Sequence, residues 1–267
     1  MASAPQSQLP LFYQDLMPLN TRDHAGWNAK QTEHATWLVN QHAVPVTADE
    51  LAQVQRHYPV IFSSGDQPVP LALMGLNEGV NTFVNDDGKF IEDDLYIPAY
   101  IRRYPFMLAR LKEGSDEMSL CFDPTSGLVG EFDEGKALFD GDKPSEETQQ
   151  VMQFCERFEQ AGQRTQAMMQ ELKDADILMD GEVSINQDNR PDAQPYVYRG
   201  FKMVDQEKLQ NLPTETVEKW HKSGLLVLIH AHLMSLDMMR IIFARQTRQG
   251  KTPNAPQPAN GELQVDI

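Results

Sequence analysis

The sequence predicts an α+β fold in which a meandering antiparallel sheet is packed by a long amphipathic helix and a buried C-terminal helix. Three observations carry this prediction. Short β-rich runs with turn residues between them recur over 58–132 and again over 177–204. From Ser145 to about Lys173, the residues Val151, Cys155, Phe158, Thr165, Met169 and Leu172 return at helical spacing. Residues 225–239 form the one sustained apolar run, and it is interrupted by His230, His232, Ser235 and Asp237, so it reads as a core helix short of a bilayer crossing.

Taken in order, Thr47-Ala48-Asp49-Glu50 is a capping-box pattern flanked by Val46 and Leu51, which predicts a short helix to about Arg56. Strands follow at 58–62, 69–76 and 80–84, with Asn85-Asp86-Asp87-Gly88 supplying turn chemistry before Lys89-Phe90-Ile91. Pro98 suits the first turn of a helix, which Pro105 interrupts before helix resumes over 106–111. Residues 118–122 and 128–132 read as a further strand pair that joins the same sheet. After the long helix, strands are expected at 177–185 and 196–204, then helices at 205–212 and 214–222, the last stopped by Gly224. Residues 1–11 read as a flexible N-terminus, 12–245 as a single globular domain, and 246–267, rich in Pro, Gly, Asn and Gln, as a disordered tail.

Charge narrows the partners. In 267 residues, 39 acidic side chains stand against 23 basic ones, a formal charge of −16 that repels phosphate backbones and anionic lipid headgroups. No nucleic-acid partner and no membrane span are expected. Cys121 and Cys155 are too far apart for a CxxC or zinc-knuckle spacing and have apolar neighbours, so they read as reduced, buried thiols, with a disulfide between them as the lesser alternative. The first ten residues carry neither a basic nor a continuous apolar stretch, and a cytoplasmic location is expected.

Several motifs fail on their own chemistry. Gly130-Glu131-Phe132-Asp133-Glu134-Gly135-Lys136-Ala137 has phosphate-loop spacing, yet Ala137 cannot hold magnesium and three acids would repel the phosphates. His230-Ala231-His232 would share a face on a strand; on a helix the rings point about 200° apart. HExxH and GxSxG motifs are absent, so no metal site, cofactor or catalytic residue is assigned. The segment that stands out is Tyr96, Tyr100, Arg102, Arg103 and Tyr104, where two fixed cations beside phenols can clamp a carboxylate or phosphate and stack a flat ligand. Pairing of these arginines with Glu92, Asp93 or Asp94 is the structural alternative. Tyr100, Arg102, Arg103 and Tyr104, joined by His57, are the candidate ligand-binding residues. A peptide or an anionic small molecule is the expected ligand, and a protein partner is the other class considered.

The chain resembles the SapC family of bacterial proteins over about residues 12–245. The resemblance is carried by His57-Tyr58-Pro59-Val60-Ile61-Phe62-Ser63, by Gly75-Leu76-Asn77-Glu78-Gly79-Val80-Asn81-Thr82-Phe83-Val84 and most specifically by the run from Tyr96 through Arg102-Arg103-Tyr104-Pro105-Phe106. Later it continues through Gly200-Phe201-Lys202-Met203-Val204-Asp205 and His230-Ala231-His232-Leu233-Met234-Ser235-Leu236. It implies a link to a paracrystalline surface layer or envelope, or to a pathway containing flavin-dependent halogenases, and it supplies no family-wide catalytic residues. An unrelated peptide-transporter permease shares the name, and the absence of multiple apolar spans argues against that reading. The expectation is a non-catalytic binding or accessory protein. Its rivals are an oxygenase or other enzyme modifying peptides or aromatic amino acids, and a self-assembling structural protein.

Overall fold

The computed structural model of the protein describes residues 9–111, 117–186 and 195–252. The chain divides into two compact units, one built from the residues up to 33 together with 100–160, the other from 34–99 and the chain from 161 onward. The helix Glu146–Asp174 supplies residues to both.

The second unit holds a five-stranded sheet, entirely antiparallel, in the order Leu178–Asp180, Phe201–Val204, Val60–Ser63, Pro70–Leu73, Ala43–Pro45. Both Val60–Ser63 and Pro70–Leu73 are buried at every position, which explains why they read as continuous apolar runs and not as alternating ones. The helix Leu225–Ser235 packs here through side chains that bond to the sheet. Buried His232 faces the Val60 carbonyl from Nδ1 at 2.8 Å and accepts the Val204 N–H on Nε2 at 3.1 Å, and the Ser235 hydroxyl accepts the Val60 N–H at 2.8 Å. His230, two residues away, is exposed, as a helix requires and a strand would not. Together with the next helix, the stretch Leu225–Arg248 is long and apolar enough to cross a membrane by length and composition. Its inward side nevertheless carries His232, Ser235 and Gln246, polar groups satisfied by partners in the unit.

The first unit contains a three-stranded antiparallel sheet, Met17–Pro18, Met118–Phe122, Phe106–Arg110, and a smaller one in which Asn28–Ala29 lies between Val129–Gly130 and Lys136–Ala137. Phe106, Leu108, Leu120, Phe122, Val129, Leu138, Phe139 and Cys155 form its core.

Several expectations change. Residues 106–111 do not resume a helix: Phe106–Arg110 is a strand, registered Leu108 against Leu120, because a short run that is apolar at nearly every position carries no period to separate the two states. Residues 118–122 and 128–132 do not pair with each other or join the larger sheet; each finds a partner distant in sequence. The runs 177–185 and 196–204 each split in two: the first breaks at Gly181, where a Cβ would meet the Phe201 ring at 2.0 Å, and the second at Gly200, which takes a left-handed φ of 89°. Residues 80–84 form a tight buried loop and not a strand. The final helix, Met238–Arg248, runs three residues into the expected tail, whose residues 253–267 lie outside the described residues, as do residues 1–8 of the expected flexible N-terminus.

That loop gives a structural meaning to the run from Gly75 to Val84. A Cβ on Gly75 would sit 1.8 Å from the Val80 carbonyl oxygen, so the two backbone strands of the loop approach only because residue 75 lacks one. Asn81, fully buried, donates to the Leu38 and Gln41 carbonyls at 2.9 and 3.0 Å and accepts the Phe83 N–H at 2.8 Å. Gln246 closes the other side, accepting the Leu76 N–H at 2.8 Å and donating to the Asn77 side chain at 2.9 Å.

Both cysteines are buried and free. Burial raises both thiols, Cys155 to about 12 against the opposing pull of Arg103, so neither presents a thiolate near neutral pH. We expect no reaction with Ellman's reagent in the native protein and two equivalents released on unfolding in guanidinium; rapid native labelling at either position would contradict the packing.

Candidate functional site

The arginine-tyrosine segment folds as the short helix Ala99–Arg103, and its two arginines have different environments. Arg103 is 5 % exposed, an unusual position for a guanidinium, and aromatic faces replace its water: Phe158, Tyr100 and Tyr13 lie 4.3, 4.8 and 5.7 Å from its centre. It pairs with the Glu159 carboxylate at 3.4 Å, and its Nε is buried without a hydrogen-bond partner among the described residues. Burial raises the Glu159 carboxyl, with Arg103 opposing that shift. Tyr100 is raised to about 12 by burial, again against Arg103, and donates its hydroxyl to the Leu11 carbonyl at 3.0 Å. Burial raises Tyr13 as well, so both tyrosines beside Arg103 are neutral packing elements. Arg102, by contrast, is exposed, with its guanidinium 5.2 Å from the Phe154 ring.

Beside these arginines lies an open groove of about 370 Å³. Arg102, Arg103 and Phe106 line one side; Gln150, Val151, Phe154, Cys155 and Arg157, from successive turns of the helix Glu146–Asp174, line the other. The groove has three guanidinium groups, an apolar and aromatic floor, and no carboxylate among its lining residues. In a chain of formal charge −16, this is a local reversal of sign. Such a lining suits a ligand with an apolar or flat body and an anionic head.

The structure thus brings together Arg102 and Arg103, with Tyr100 behind Arg103. Tyr104 is turned elsewhere: its hydroxyl faces the buried Asp123 carboxylate at 3.3 Å, and burial together with that carboxylate raises its pKa. Glu92, one of the expected acidic partners, pairs with Arg245 at 2.8 Å. His57 belongs to the other unit, half-buried in the turn before Val60–Ser63, its ring 6.2 Å from that of Tyr58. Arg157, Phe154 and Gln150 were not among the candidates. They share one face of the long helix, but the sequence does not say which neighbour that face meets.

The phosphate-loop look-alike connects two strands, Val129–Gly130 and Lys136–Ala137, which both pair with Asn28–Ala29, so no helix N-terminus follows it. Among the described residues, no group of three or more His, Cys, Asp and Glu is placed to hold a metal ion.

The family model described as SapC matches residues 19–241. Comparisons with curated proteins and with solved structures return no match.

Proposed function

The chain belongs to the SapC family, and from that premise we propose that it is a non-catalytic binding or accessory protein whose arginine-lined groove takes a peptide or small molecule with an anionic head. The observation that carries this reading is the groove itself: three guanidinium groups over an apolar floor, one of them held rigid by three aromatic rings. Holding Arg103 in place before a ligand arrives removes part of the ordering cost of binding. Exposed Arg102 and Arg157 would then close over the anionic group. A role in surface-layer or envelope biology, or in a halogenase-associated pathway, is the wider setting we attach to this reading. The family match supports it. A cytoplasmic location belongs to the same proposal and is supported by the two free thiols.

The test uses two probes of matched body, 8-anilinonaphthalene-1-sulfonate and the uncharged N-phenyl-1-naphthylamine, titrated into the native protein by fluorescence. We expect the sulfonate to bind more tightly, with an affinity that falls as salt rises, and Arg102→Ala with Arg157→Ala to weaken it about tenfold while leaving the neutral probe unchanged. Equal loss of both probes, or no loss of either, would remove the groove as the binding surface.

A further inference from the structure

We propose that the outer face of the C-terminal helices is a homodimer surface, on which two copies of the chain pair antiparallel about Met234. The two helices Leu225–Ser235 and Met238–Arg248 are joined by Leu236 and Asp237, both in right-handed helical conformation, so one face runs through the junction. Along it, Val227, Met234 and Ile241 are 64, 69 and 46 % exposed, and they recur every seven residues. Seven residues are nearly two helical turns, which places the three side chains in one stripe with about 10 Å between successive members. Val227 and Met234 are the two most exposed of the large apolar residues described, although the opposite side of the same helices, including Ile229, His232, Met239 and Ile242, is nine-tenths or more buried.

The polar residues within the stripe select the occupant. His230 and Asp237 lie on the same face, four residues before and three after Met234, and both are exposed. In a parallel pairing each would meet its own copy, and Asp237 would face Asp237. In an antiparallel pairing centred on Met234, Val227 meets Ile241 of the second copy, and His230 comes within one residue's rise, about 1.5 Å along the axis, of Asp237, twice over. The face can therefore pair with itself, apolar side chains on apolar and imidazole on carboxylate, as a two-fold interface demands. A bilayer is the poorer occupant: Asp237 sits between Met234 and Ile241, where hydrocarbon would have to receive its carboxylate, and the chain's net charge opposes anionic headgroups.

The full chain is tested by sedimentation-velocity ultracentrifugation across a wide concentration range, with circular dichroism confirming the fold of each variant. We expect a reversible dimer whose dissociation constant rises roughly tenfold or more in Met234→Asp. Asp237→Arg should weaken it as well, and adding His230→Glu to Asp237→Arg should restore it, a rescue that general loss of surface apolarity would not give. A wild-type protein that stays monomeric at every concentration overturns the proposal, as does a dimer indifferent to Met234→Asp. Flotation with phosphatidylcholine vesicles that is lost in Met234→Asp, from a protein monomeric in solution, would reassign the face to lipid. None of these outcomes bears on the groove, whose residues are not altered.

Discussion

Replacing Glu50 with alanine is expected to destabilise the protein by about 4 kcal/mol, because one buried carboxylate satisfies four donors at once. Glu50 is 5 % exposed. One oxygen accepts the Thr47 N–H at 2.9 Å and the Thr47 hydroxyl at 3.2 Å; the other accepts the Tyr96 hydroxyl at 2.9 Å and the Ala99 N–H at 2.7 Å. A lone helix cap is worth about 1 kcal/mol. The larger figure follows from the second oxygen, which ties the segment ending at Ala99 to the helix start at Thr47. Alanine leaves those donors unpaired where water is scarce. Glutamine keeps the shape but turns an NH₂ group toward one pair of donors, so Glu50→Gln should cost about half as much. Urea denaturation of the three proteins checks the order; a Glu50→Ala midpoint within error of wild type would refute the assignment.

The second large effect is acid destabilisation through His232. Burial lowers its pKa from 6.5 to about 4, with the Val60 carbonyl opposing that shift. Because Nε2 must accept the Val204 N–H, the folded ring is neutral, with its proton on Nδ1 toward Val60. Between pH 6.5 and about 4 the unfolded chain binds a proton here that the folded chain does not. Stability contributed by this residue is therefore complete above 6.5, falls as pH falls through that window, and is lost by about 3 kcal/mol below it. His42 is also lowered by burial and slopes the same way. The contribution of His232 is accordingly read as the difference between wild type and His232→Gln, which should be flatter over this range. Ring titration by NMR gives an independent reading: a His232 that titrates near 6.5 in the folded protein would contradict the burial.

How much of this was legible beforehand depended on whether the determining contacts were local. The capping box at Thr47 to Glu50 was readable because its partners are three residues apart, and the long helix was readable because 29 residues keep one period. Gly224 ends its helix in a left-handed conformation, φ 81°, as its position foretold. The strand at Phe106–Arg110 was not readable, since five residues with little polar contrast fit either state until Met118–Phe122 pairs with them. The arginine segment was found by its composition, and the structure then separated its members: Arg103 is sandwiched among rings, Arg102 is exposed in the groove, and Tyr104 is drawn to Asp123.

Residue types and short spacings by themselves determined the fold class, the helix boundaries set by caps and glycines, the family, and the net negative charge. Tertiary structure alone decided which strands pair, that Arg157 and Phe154 join Arg102 and Arg103 at one groove, that His232 is a neutral bridge between two strands, and that Val227, Met234 and Ile241 face outward. The physical reason is range. Caps, turns and helical periodicity are energies of neighbours along the chain, whereas pairing, burial and the meeting of distant side chains depend on which surfaces the whole fold removes from water.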